Sequence, residues 1–95
     1  MAIVYEKAAE VLGKTAQLQV LVHLFNYIDE EDYLSGIANA TKLSHSSVSR
    51  VAEPLLASGF LLERKLGKRI RILWINPSSE TAQKTRKYFK AVFSE

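Results

Sequence analysis

Four serines, a histidine and an arginine fall within seven residues, Ser44-His45-Ser46-Ser47-Val48-Ser49-Arg50. Further on, Arg64, Lys65, Lys68, Arg69 and Arg71 crowd into eight residues. Neither group has the makings of a catalyst. A serine becomes a nucleophile only beside a positioned base, and none of these sits in a nucleophile-elbow context. His23 and His45 have no cysteine partners in this cysteine-free chain and no short-spaced carboxylate to complete a metal site. Phosphate-binding loops and paired catalytic carboxylates are also missing. The expectation is therefore no enzyme, no metal and no cofactor. Short hydroxyl side chains can instead approach phosphates and base edges closely. Arg50 can make a forked contact to guanine or clamp a phosphate. Ser44 is the exception, better placed to cap a helix than to touch a ligand.

The charge balance points to the same kind of partner. Residues 1–59 hold four Lys/Arg against seven Asp/Glu, whereas residues 60–95 hold nine against three. The overall +3 thus divides into −3 and +6, and such lopsidedness argues for an anionic partner on one face. The amino-terminal stretch carries Glu6, Lys7 and Glu10 among its apolar residues, which fits neither a signal peptide nor a membrane span. A chain without cysteine suits a reducing cytoplasm, and a cytoplasmic, nucleoid-associated protein is expected.

These side chains need elements to hold them. Apolar spacing predicts a first helix over 3–12, with Val4, Ala8, Val11 and Leu12 on one side and Gly13 as its stop. Thr15 caps a second helix to about residue 28, with Leu18, Leu21, Val22, Phe25 and Ile28 buried and Gln19, His23, Asn26 and Glu30 wet. Four acids at 29–32 oppose a helix dipole and mark its end. Tyr33-Leu34 is expected as a one-bridge strand. Ser35 then caps a short helix to 41, and Ser44 caps a longer one to 58 with Gly59 as its left-handed terminator. Strands follow over 60–66 and 69–75, joined at Gly67-Lys68, with Ile70, Ile72 and Trp74 alternating onto one face. Ser79 caps a last helix to 93, striped by Ala82, Thr85, Phe89, Val92 and Phe93. No repeat, linker or low-complexity tract divides the chain, so residues 1–95 form one α+β, mostly α, domain.

The run from 34 to 75 resembles the helix-turn-helix and wing of winged-helix regulators, in the broad style of the MarR, ArsR and PadR groups. Ile37 and Ala38 stand where the first helix approaches the second, Leu43 is the apolar residue of the turn, and Val48, Val51, Leu55 and Leu56 bury the second helix. Two residues depart from the pattern. Lys42 occupies a position where many such turns carry glycine, and Pro54 lies inside the second helix, where a bend is expected. The resemblance covers about residues 15–75. It implies a recognition surface of His45, Ser46, Ser47, Ser49 and Arg50, with Arg64, Lys65, Lys68, Arg69 and Arg71 as a DNA-contacting wing. It also implies dimerisation through the flanking helices, 1–14 and 78–95, by Val4, Tyr5, Val11, Tyr88, Phe89, Val92 and Phe93.

The expected function is sequence-specific binding of double-stranded DNA as a homodimer, in a prokaryotic transcription regulator. One alternative keeps DNA but makes the chain a plasmid or chromosome partition protein that spreads along centromere repeats. The other is a winged-helix protein-interaction module using the acidic run at 29–32. No effector site is legible in the sequence.

Overall fold

In a computed structural model, which describes residues 2–28 and 30–95, five helices and three strands share one core. The order is α1 (Tyr5–Leu12), α2 (Ala16–Asn26), β1 (Asp32–Tyr33), α3 (Leu34–Thr41), α4 (His45–Ala57), β2 (Leu61–Leu66), β3 (Ile70–Ile75) and α5 (Glu80–Phe93). The strands form one antiparallel sheet in the order β1-β3-β2.

Three helices start on the expected hydroxyl caps. Thr15 accepts from the Leu18 amide, Ser44 from Ser47 and Ser79 from Ala82. α3 differs, because Tyr33 precedes it without a side-chain cap and Ser35 lies inside the first turn. α1 also begins later than its apolar spacing suggests. Ile3 is instead bridged to Ser94, and the Val4 amide donates to the Phe93 carbonyl at 2.8 Å.

α2 is the pillar of the core. Val20 and Leu24 are buried along with Leu18, Leu21, Val22 and Phe25, so apolar contact wraps most of its circumference. Around it pack α1, α3 and α4. The Phe25 ring meets Phe89 of α5 edge-on at 5.4 Å and lies 6.0 Å from Phe60 at the foot of the hairpin. Phe89 in turn stacks edge-on with Phe93.

Two polar residues expected on the wet side of α2 also make structural contacts, Asn26 while exposed and His23 while half-buried. Asn26 clamps the Ile3 backbone at both ends, accepting from its amide at 2.8 Å and donating to its carbonyl at 3.0 Å. His23 is only 15% exposed and pairs with Asp32 of β1 at 2.7 Å. Asp32 also explains Gly36, since a Cβ at that position would collide with the Asp32 carboxylate. Of the acidic run, Asp29 lies outside the described residues.

The turn between α3 and α4 keeps its left-handed residue. Lys42 has φ 61° and ψ 25°, and Leu43 donates to the Ala38 carbonyl at 3.1 Å, so the lysine bears a conformation that costs a side-chain residue about 1–2 kcal/mol. α4 runs through Pro54 without a break and ends before Gly59, whose φ of 81° reverses the chain as expected.

Ile70, Ile72 and Trp74 share one face of the hairpin, as expected. Leu73 and Ile75, together with Leu61, turn into the central core, whereas Ile70, Ile72 and Trp74 form the opposite face, on which Ile72 is also buried and Ile70 is open to solvent. The strand ILWI is apolar on both sides, so alternation by itself cannot tell which set faces inward. The turn is one residue longer than Gly67-Lys68, because Leu66 pairs with Ile70 and leaves Arg69 in the loop.

Candidate nucleic-acid interface

The amino-terminal half of α4 presents its hydroxyls and one cation to solvent. His45, Ser46 and Arg50 are exposed, while Ser47 and Ser49 are half-buried. Ser44 does what a cap does: its oxygen takes the Ser47 amide at 3.1 Å and its hydroxyl reaches the Ser47 hydroxyl at 2.9 Å. Arg50 leans back along its helix toward the Ser46 carbonyl, with Nε 3.5 Å away, and keeps its outer nitrogens free of any described ion pair. Buried Val48, Ala52 and Leu55 on the reverse face fix the helix to the core. The exposed stripe is therefore held rigidly rather than on a loop.

The hairpin stands beside this helix, and its register sorts the basic residues into different tasks. Glu63, Lys65, Arg71 and Leu73 share one face; Leu62, Arg64, Leu66, Ile70, Ile72 and Trp74 share the other. On the first face, the Arg71 guanidinium is a knot. Its Nε donates to Glu63, Nη1 donates to Ser49 at 2.8 Å, and Nη2 approaches Glu53 at 3.4 Å. Arg71 thereby joins β3 to β2 and both to α4. It is half-buried and spoken for, which makes it a brace between wing and helix. Ser49, expected to face a ligand, is the other end of that brace.

Arg64 forms an exposed pair with Glu31 at 3.2 Å, a contact that water and salt screen. Lys65, Lys68 and Arg69 are exposed and, among the described residues, in no ion pair. Between the wing and the starts of α3 and α4 lies a cleft of about 340 Å³, lined by Tyr33, Leu34, Ser35, His45, Arg69, Ile70 and Arg71. His45 and Arg69 thus flank one groove, although they lie far apart in the chain. Its lining mixes the apolar Tyr33, Leu34 and Ile70 with the exposed Arg69 cation, and an anion's backbone can pass that cation.

The expected dimer residues separate into two groups. Phe89 and Phe93 are buried in the domain's own core, while Val4 and Tyr5 are half-buried. Val11, Tyr88 and Val92 are open to solvent, as is Leu12. Among the described residues no group of His, Asp and Glu is placed to hold a metal ion, and no helix is long and apolar enough to cross a membrane.

No protein-family model matches this chain, and no curated protein matches its sequence. Solved structures do resemble it. HlyU from Vibrio cholerae, in reduced form, superposes with a TM-score of 0.69 at 17% identity, over 95% of this chain and 88% of that one. NolR from Sinorhizobium fredii gives 0.64 at 21% identity, over 92% and 84%. The transcriptional regulator BldR from Sulfolobus solfataricus gives 0.64 at 16% identity; 93% of this chain is matched, but it spans only 61% of BldR. At these identities the likeness is one of fold. The fold is a winged helix-turn-helix, with α3 and α4 as the two helices and β2–β3 as the wing.

Proposed function

We propose that this chain binds double-stranded DNA sequence-specifically, as a homodimer, and acts as a prokaryotic transcription regulator in the cytoplasm. The observation that carries the reading is the Arg71 brace. It locks a cationic hairpin at a fixed distance from a rigid, hydroxyl-rich helix face. A duplex can receive the helix in its major groove and the hairpin on the adjoining backbone. In this arrangement Ser46 and Arg50 read base edges, while Lys65, Lys68 and Arg69 meet phosphates. The transcriptional regulator BldR, which shares the fold, supports the regulatory role.

Selecting duplexes from a random pool tests the reading directly. The wild-type chain is expected to enrich an inverted repeat with half-sites about one helical turn, roughly 34 Å, apart. The double variant Lys68→Ala/Arg69→Ala should weaken binding alike on enriched and random duplexes. It should also flatten the dependence of log affinity on log salt by about one for each phosphate that is no longer neutralised. A salt slope unchanged by the double substitution rules out the phosphate-contacting wing. Protection of a long tract in place of a short palindrome would favour a spreading partition protein.

A further inference from the structure

Leu66 and Ile70 are the last cross-strand pair of the wing before its turn. Both are large aliphatic side chains left open to solvent, at 44% and 47%. The register sets them on the face opposite Glu63 and Arg71, with Ile70 also bordering the cleft beside His45. A hairpin tip that had only to remain soluble and discourage strand pairing would carry charge at such positions.

The surrounding charge narrows what can cover this pair. Lys68 and Arg69 lie in the turn next to it, Lys65 stands on the other face of the same hairpin, and Glu63, the acid in the hairpin, is occupied by Arg71. An apolar protein surface would have to strip water from those cations. The minor groove of a duplex would not, because its rims are phosphate and its walls are sugars and base edges. A surface of anionic lipid also combines negative charge with aliphatic depth. The exposed hydroxyl face of α4 beside the wing favours the duplex, since it offers nothing to hydrocarbon.

We propose that Leu66 and Ile70 form a wedge that enters the minor groove and partly unstacks a pyrimidine–purine step, while Lys68 and Arg69 hold the flanking phosphates. Such steps open most easily, so the wedge reads sequence through deformability at a position without hydrogen-bonded readout. This inference rests on the DNA-binding reading above.

The test uses the full chain and duplexes enriched by it, with 2-aminopurine placed at successive steps of the outer flanks. Leu66→Thr/Ile70→Thr keeps residues suited to a strand while removing most of the apolar surface. The wild type is expected to raise the fluorescence at one flank step, and the enriched sequences should carry TA or CA/TG there. The double variant should keep its thermal midpoint and salt slope, lose that fluorescence rise, and bind the enriched duplex about tenfold more weakly, a change of 1.4 kcal/mol. Equal affinity of the two proteins, with no fluorescence rise from either, overturns the wedge. An affinity loss that merely follows a fall in thermal midpoint, without a wild-type fluorescence rise, also overturns it and leaves the pair as hairpin packing. Binding of the wild type to phosphatidylglycerol vesicles, abolished by the double variant and without unstacking of any duplex, would assign the pair to lipid. If the wild type enriches no duplex at all, the DNA-binding reading fails and takes the wedge with it.

Discussion

Arg71 is one more cation of the wing until its guanidinium is followed to Glu63, Ser49 and Glu53. A planar fork with several donors can serve three acceptors at once, and a lysine ammonium cannot reproduce that geometry. Arg71→Lys should therefore keep the charge, leave the salt slope of DNA binding unchanged and still lose several-fold discrimination between enriched and random duplexes. A phosphate-contacting Arg71 would give the reverse: near-wild-type behaviour for lysine, and a slope smaller by about one for Arg71→Ala. Affinities at three salt concentrations separate the two. The residues legible from sequence are those whose exposure follows from local position, such as Arg50 on a capped helix and Lys68 and Arg69 at the hairpin tip. Ser49, Arg71, His23 and Asn26 are not, because each is claimed by a partner that only the tertiary fold brings near.

At the level of elements, the turn between α3 and α4 holds a correctable cost. Lys42 adopts a left-handed backbone that glycine accepts without strain, and its side chain is open to solvent. Lys42→Gly should raise stability by about 0.5–1 kcal/mol, the relief of strain being partly offset by the greater freedom of glycine in the unfolded chain. Denaturant titration would show a higher midpoint at an unchanged slope; a lower midpoint would mean that the lysine side chain makes a contact worth more than the strain. Helix order, caps and wing are legible because hydroxyl caps, Gly59 and the alternating strands each carry a local signal. The inward face of β3 and the burial of Val20 and Leu24 in α2 are not. Ile70, Ile72 and Trp74 compete with Leu73 and Ile75 for the core, and the choice falls to Leu61 and the rest of the packed core.

For the whole molecule, burial revises which part of α5 can meet a second copy. Phe89 and Phe93 fill the chain's own core, so removing α5 would open that core and could not isolate an effect on assembly. Tyr88 and Val92, one turn apart and both about half exposed at 48% and 51%, remain as an outward apolar pair, with Val11 and Leu12 exposed at the end of α1. Val92→Glu places a charge on that face without touching the core. Sedimentation should show a dimer for the wild type and a monomer for the variant. Operator affinity should fall while half-site binding survives, because the second half-site no longer benefits from linkage to the first. A wild type that sediments as a monomer at micromolar concentration ends the dimer proposal.

The clasp of Asn26 on Ile3, with Ile3 bridged to Ser94, also bears on the order in which the chain folds. The Ile3–Ser94 bridge joins segments from opposite ends of the sequence, and Asn26, reaching Ile3 across 23 residues, holds the segment that makes it. Closing the larger loop is entropically slow unless other contacts have already formed. The helix-turn-helix and hairpin, built from neighbours in sequence, are expected to dominate the transition state, with the clasp shutting afterwards. Asn26→Ala should then accelerate unfolding by nearly the full amount of its destabilisation, about 1–3 kcal/mol, and leave the refolding rate almost untouched. Stopped-flow kinetics would show one limb of the chevron displaced and the other in place; a slowed refolding limb would mean that the ends meet early.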